Sequence, residues 1–336
     1  MKGLLPHVSA LLVAALLAFS IWSKGDKAAE PDAGTKVEIW GGTPERLERV
    51  RFESPKRTVT LDSRKDSQGR YYVAVVDKED APKSPHGAPD AGAESSEAPK
   101  RTITRFIGVK EADELAAKVA PLMALRQLGP LGPGRAEEFG FDKPEGTLKV
   151  KIGGAEQALL IGGATPGGQE RYAKHERTGM VYAVAGDLVQ SMLGAESRLL
   201  ERDLHAFPDT DVTRLGITRG GKTREVVSMP DKKGAWADAA QPGKLDETVG
   251  NWLTKVGRLH VMDYVETPPA PLAPETAIVR LEYFAGKKSL GFLELYKLPA
   301  EKGSDYFVRS ENSRWFVKVL ATSGEQVEQD VASVVK

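Results

Sequence analysis

The chain contains no cysteine. Disulfides, thiolate metal sites and cysteine nucleophiles are therefore excluded, as is a lipidated cysteine acting as anchor. It also lacks net charge, with 47 basic residues against 47 acidic ones. That balance argues against a dedicated nucleic-acid binder, which needs a basic face to displace counterions from phosphate. Histidine is scarce, at five residues. His7, His86, His175, His205 and His260 are scattered, and none has a second ligand at the spacing of a metal pair. Asp203 lies two residues before His205, and the pair reads as a polar corner rather than a catalytic couple. No Gly-x-Ser-x-Gly elbow occurs. Glu137, Glu138 and Asp142 come nearest to paired carboxylates. Their neighbours Phe139-Gly140-Phe141 and Pro144 read as a turn entering a strand. No catalytic, cofactor-binding or metal-binding residue emerges, and no cofactor is expected.

Long apolar runs are absent, with one exception. Leu4 to Trp22 gives about 19 mostly apolar residues, long enough to cross a bilayer as a helix. A signal-peptide core is shorter, roughly 7–15 residues. Cleavage after Ser20 is the alternative, but Trp22 suits an interfacial position on an uncleaved anchor. The expectation is a single-pass membrane anchor with the bulk of the chain exported. Residues 24–35, rich in Ala, Pro and Asp, read as a tether. Residues 78–100 hold four prolines and no large aliphatic side chain, and read as a disordered insertion.

What is present is repetition. Thr147–Ile152, Gln157–Ile161, Glu170–Lys174 and Val181–Val184 read as four strands, with a helical run from Asp187. The order returns at Ala277–Glu282, Leu290–Tyr296, Asp305–Arg309 and Trp315–Val319, with a helical run from Glu325. Each block is preceded by further strands and an amphipathic helix. The first helix is expected over Glu111–Leu128, with Leu115, Val119, Leu122, Leu125 and Leu128 on one face and a kink at Pro121. The second spans Leu245–Leu259, with Val249, Trp252, Leu253, Val256 and Leu259 on its face. An aromatic strand precedes each, at Tyr71-Tyr72 and at Trp236. The fold class expected is α+β: two tandem modules of short, mostly antiparallel strands with packed helices, over 36–206 and 207–336. Pro268–Pro274 reads as a stiff connector. Most aromatic side chains are expected in the core, with an aromatic groove for a glycan or peptide as the functional alternative.

Gly216-Ile217-Thr218-Arg219-Gly220-Gly221-Lys222-Thr223 fits the phosphate-loop pattern. That chemistry needs a loop between a strand and a helix. Here Arg224–Met229 continues as a strand, so Gly220-Gly221 reads as a hairpin turn and nucleotide binding is not expected.

One family resemblance is visible. Glu138-Phe139-Gly140-Phe141-Asp142-Lys143-Pro144, followed by Thr147–Val150, Leu159–Gly162, Arg171-Tyr172-Ala173 and Val181-Tyr182, resembles the domain of unknown function 4340 family. Arg202-Asp203 and Trp236 with its helix also fit. The resemblance implies a membrane-anchored bacterial protein, often associated with ABC-type export systems and gliding-type auxiliary subunits. It supplies no catalytic residues. The function expected is a non-catalytic, membrane-anchored exported accessory or binding protein. Its partner would be a transporter subunit, another envelope protein or an envelope polymer. The alternative is an envelope-polymer hydrolase with carboxylates in a cleft between the modules.

Overall fold

The structure is a computed structural model that describes residues 36–79, 100–232, 234–268 and 272–336. The expected anchor over Leu4 to Trp22, the tether, and most of the expected insertion lie outside the described residues. Among the described residues no helix is long and apolar enough to cross a membrane.

In chain order the first half contains β1 (Val37–Trp40), β2 (Leu47–Ser54), β3 (Arg57–Asp66), β4 (Gly69–Glu79), β5 (Arg101–Gly108) and α1 (Lys110–Val119). It continues with β6 (Leu122–Ala124), β7 (Arg126–Pro130), β8 (Gly146–Ile152), β9 (Ala155–Ala164), β10 (Glu170–His175), β11 (Met180–Ala185), α2 (Gly186–Leu193) and the short α3 (Ala195–Arg198). The second half contains β12 (Arg214–Arg219), β13 (Lys222–Ser228), β14 (Trp236–Asp238), α4 (Glu247–Val256) and β15 (Asp263–Val265). It ends with β16 (Val279–Ala285), β17 (Lys288–Pro299), β18 (Ser304–Ser310), β19 (Phe316–Val319) and α5 (Ala321–Val334).

Two large antiparallel sheets result, ordered β5-β4-β3-β2-β8-β9-β10-β11-β7 and β14-β13-β12-β16-β17-β18-β19-β15. Their plans are alike, although the first meander has four strands in the nine-stranded sheet and three in the eight-stranded one. Two meanders fan out from a central pair, β2·β8 in one sheet and β12·β16 in the other. β7, which follows β6, and β15 then run to the far edges and pair with the last strand of each meander, as β7·β11 and β15·β19, while β6 pairs with β1 in a separate two-stranded sheet. The repeated strands seen in the sequence are thus the second meander of each sheet. Each sheet has its own core on its helix-bearing face. Phe52, Leu61, Leu148 and Ile161 pack with Leu115, Val119, Leu188 and Met192 in the first. Leu215, Leu281, Leu293 and Val308 pack with Val249, Trp252, Val327 and Val331 in the second.

The helix expected over Glu111–Leu128 is corrected. It stops at Val119, and the chain continues as β6 and β7. Pro121 has no amide hydrogen for a helical bond, and its ring disfavours the helical conformation of the preceding Ala120. The Val119 carbonyl instead accepts from the indole Nε1 of Trp40 at 2.8 Å. Leu128, on the expected apolar face, is 43% exposed on edge strand β7. Past the proline burial follows the strand period, with Leu122 and Ala124 inside, and the three-residue spacing of Leu125 and Leu128 marks no shared buried face.

The motif Phe139-Gly140-Phe141 lies in the connector from β7 to β8, which packs on the sheet face opposite the helices. Phe139 and Phe141 cover Val181, Leu160 and Tyr172 there, and Phe139 meets the Tyr172 ring edge-on at 4.8 Å. The Phe139 carbonyl accepts from the Gly163 amide at 2.9 Å. Gly140 has φ +71°, and a Cβ on it would sit 2.5 Å from the Gly163 nitrogen. Gly140 and, on the strand, Gly162 let main chain lie against main chain.

Candidate functional site

The two halves meet through the linker after Leu199 and through the turn between β18 and β19. Glu201, 8% exposed, anchors the start of the linker. Its amide donates to the Ile107 carbonyl at 2.8 Å. Its carboxylate accepts from the amides of Asp203 and Lys110 at 2.9 and 3.3 Å. The Tyr264 hydroxyl donates to its carbonyl at 2.9 Å, and burial keeps that phenol neutral.

From the other side comes Ser310–Arg314, most of it buried although it is a turn. Asn312 Nδ2 donates to the Asp203 carbonyl at 2.7 Å. Arg314, with φ +56°, pairs with Asp66 at 3.1 Å and lies over the Tyr71 ring at 4.8 Å. Glu311 is 5% exposed. It accepts from the amides of Ala206 and Phe292 at 3.3 and 3.0 Å and meets His205 Nδ1 at 3.0 Å. Gly291 makes room for this carboxylate, because any Cβ there would strike it. The partner of His205 is therefore Glu311 rather than Asp203. The expected polar corner exists, but half of it comes from 106 residues away.

The same linker borders a groove of ≈ 1060 Å³. Leu215, Tyr283 and Leu293 of the sheet line it, with Leu253 and Val256 of α4. Trp236 borders it from β14, and His205 and Phe207 from the linker. The His205 ring stacks on Phe207 at 4.8 Å and tilts against Tyr283 at 4.4 Å. Burial, then the charges of Glu311 and Asp209, push the Tyr283 hydroxyl to ionise far above its ordinary range. Its lining is mixed: Leu215 and Leu293 are each 1% exposed, and Arg202, Asp203, Asp209 and His260 stand beside the apolar side chains.

The other histidines are less engaged. His7 and His86 lie outside the described residues. His175 is buried, with Nδ1 accepting from the Arg177 amide at 3.2 Å and its ring edge-on to Trp40 at 6.2 Å. Burial, aided by Arg177, lowers its pKa. His260 is exposed on the groove lining. Glu138 forms a surface ion pair with Arg135 at 2.7 Å. Among the described residues no group of three or more His, Cys, Asp or Glu is placed to hold a metal. The phosphate-loop pattern spans a hairpin, with Arg219 paired to Lys222 and Gly220 and Gly221 at φ +55° and +79°. Those angles make a two-residue turn rather than a loop before a helix.

A second cavity, ≈ 580 Å³, lies beside the start of α2. Its Arg171 is held by Glu145 at 2.8 Å.

Mostly antiparallel sheets with helices packed on one face, joined at a polar junction beside a groove, make this an α+β protein. Residues 109–277, half of the chain, match the family described as domain of unknown function (DUF4340), and the chain belongs to that family. The match starts at the amino end of α1 and stops before β16. It therefore takes in the strap over the first sheet, the linker and the α4 side of the groove. No curated protein and no solved structure matches the chain.

Proposed function

We infer that this is a non-catalytic accessory protein, anchored outside the cytoplasmic membrane by Leu4 to Trp22, that binds a partner through the groove of its second half. The observation that carries the reading is the groove itself, with an aliphatic and aromatic lining next to a junction that fixes its walls. Its carboxylate–imidazole pair is engaged in holding the two halves together. A hydrolase of the glycosidase type uses two carboxylates facing one substrate; Asp203 and Asp209 border the groove, while Glu311 is occupied by three hydrogen bonds. A subunit of an ABC-type export system is the partner that the apolar N-terminal run and the family resemblance favour.

The test is a photoreactive residue at Met229 on the groove lining, introduced in the full chain in intact cells. The expected result is one recurrent adduct with a membrane transporter subunit, lost when Leu253 is changed to Arg. Fractionation of the chain with the cytosol, or adducts unaffected by Leu253→Arg, would refute it.

A further inference from the structure

We propose that the turn Ser310–Arg314 is a latch through which the first half of the chain sets the linker wall of the groove, with Arg314 as the positioning residue and Asp66 as its fixed partner. The geometry belongs to the junction alone, and its use rests on the binding reading above.

The linker from Arg202 to Phe207 borders the groove, and one turn grips it at two points. Asn312 Nδ2 donates to the Asp203 carbonyl at 2.7 Å, and the Ala206 amide donates to Glu311 Oε1 at 3.3 Å. The turn is closed on itself. The Ser310 amide donates to the Ser313 hydroxyl at 3.0 Å, and the Ser313 amide to the Ser310 hydroxyl at 3.1 Å. Both serines are buried. A buried turn with its polar groups satisfied in this way is rigid, so whatever holds Arg314 holds both grips.

Arg314 is held from the first sheet. Its Nε donates to Asp66 Oδ2 at 3.1 Å, and its guanidinium lies over the Tyr71 ring at 4.8 Å. Asp66 ends β3 and Tyr71 stands on β4. Asp66 is fixed in turn, because its Oδ1 accepts from the amides of Gln68 and Gly69 at 2.9 and 3.0 Å. Arg314 Nη1 donates to the Asn312 carbonyl at 2.9 Å and to Asn312 Oδ1 at 3.3 Å. An amide oxygen facing the guanidinium leaves the amide NH₂ facing the Asp203 carbonyl. One chain of bonds thus runs from the hairpin of the first sheet, through Arg314 and Asn312, to the groove wall.

The backbone points the same way. Arg314 has φ +56°, where a Cβ crowds the main chain and glycine is the favoured residue. Glycine would ease the turn, so the arginine is there for its side chain. That side chain is only 9% exposed, and a guanidinium so enclosed depends on its partners. Strain kept at a residue that bridges two halves directs attention to what the residue positions.

The experiment is hydrogen exchange of the full chain in mild detergent, with no ligand added. Asp66→Asn keeps an Oδ1 for the Gln68 and Gly69 amides but turns an NH₂ toward the guanidinium. Exchange over residues 202–207 is expected to rise about tenfold, the effect of losing one charge-assisted hydrogen bond on a local opening equilibrium. Exchange in β8 and β17 is expected to stay unchanged. Arg314→Gly should loosen the linker at least as much although it relieves the backbone, and Arg314→Lys, which keeps a cation opposite Asp66, should fall between. The double variant Asp66→Asn with Arg314→Gly should exchange no faster than Arg314→Gly alone, since both break one chain of bonds. Unchanged linker exchange in Asp66→Asn overturns the proposal. So does exchange that rises equally in β8 and β17, which is general destabilisation, or slower linker exchange in Arg314→Gly. Where Arg314→Gly does not fold, Asp66→Asn decides alone. A failed crosslink from Met229 beside these exchange results sinks the binding reading and not the latch.

Discussion

Replacing Gly162 by Ala should destabilise the first half by about 2–4 kcal/mol, while the same change at the adjacent Gly163 should cost less than about 0.5 kcal/mol. A Cβ on Gly162 would fall within 3.0 Å of the Phe139 main-chain oxygen and of two Phe141 ring carbons. Main chain cannot swing aside as a side chain can, so the strap must lift. Lifting breaks the bond from the Gly163 amide to the Phe139 carbonyl, worth about 1 kcal/mol. It also exposes part of Phe139 and Phe141, each now 8% exposed. Full exposure would cost roughly 1.5–3 kcal/mol per ring, and partial lifting a fraction of that. At Gly163 the nearest atoms to an added Cβ lie at 3.8 and 3.9 Å, which is ordinary contact. The two variants therefore have the same loss of glycine flexibility and differ in collision alone. Urea unfolding of both, with the slope checked for constancy, measures the difference. Stabilities within 0.5 kcal/mol of each other would refute the claim that strap and strand are packed main chain to main chain.

Three further outcomes are expected. Glu311→Ala strands the Ala206 and Phe292 amides and the His205 imidazole at once. It should cost about 3–5 kcal/mol, read by thermal melting; a loss under 1 kcal/mol would mean that water satisfies these donors. Trp252→Phe removes the 3.0 Å bond from the indole to the Val327 carbonyl that ties α4 to α5. A loss of about 1–1.5 kcal/mol in urea midpoint experiments is expected, and an unchanged midpoint would count against it. Acidification should weaken the second half through Asp246. Burial works to raise its pKa, but the Val249 amide and the Arg224 guanidinium outweigh burial and hold it below the usual carboxylate value. A folded-state pKa that is depressed gives stability present above the unfolded value, near pH 4, and lost as the pH falls through the lower folded value. Asp246→Asn should flatten that part of the stability profile, and an identical acid limb in the variant would refute the assignment.

Much of the scaffold was legible because strands with one buried face announce themselves by period two, and the sheets repeat. The repeated strands at Thr147–Ile152 and Leu290–Tyr296 lie inside the observed β8 and β17. The same local reasoning failed at Pro121, where periodicity outran what a proline allows. It could not find the site. Glu311 stands in a sequence turn between two strands, where a carboxylate is ordinarily solvated. It is buried because Gly291, twenty residues earlier, leaves a space that no local pattern reveals. The groove was invisible for a related reason. Leu215, Leu253 and Leu293 read as core residues, and they are mostly or wholly shielded. What the sequence does not disclose is that the cover over Leu253 is only partial.

Matching the two sheets by register shows where the copies diverge. Ile161 pairs with Gly146 and Ala173, as Leu295 pairs with Val279 and Val308, so these strands correspond in register around those positions, with a shift near Arg171 in one sheet and near Tyr283 in the other. On the helix-bearing face the matched positions stay apolar: Leu159 with Leu293, Ile161 with Leu295, Tyr182 with Val317. On the opposite face they trade volume. Gly162 matches Tyr296, Tyr172 matches Phe307 and Val181 matches Phe316. In the first sheet the rings that fill this face come partly from the strap, as Phe139 and Phe141. In the second they stand on the strands themselves, with Tyr296 meeting Phe316 at 5.4 Å and Arg309 lying over Phe316 at 6.0 Å. The connector there needs no aromatic side chain, and the chain at Pro268–Pro274 has none. One architecture thus closes the same face in two ways, by strap in one copy and by sheet in the other. The shared plan explains stability in both halves and function in neither. Function has to be sought where the copies are not interchangeable, and the groove beside His205 is such a place, since its polar anchor is built from a linker and a turn that join one copy to the other.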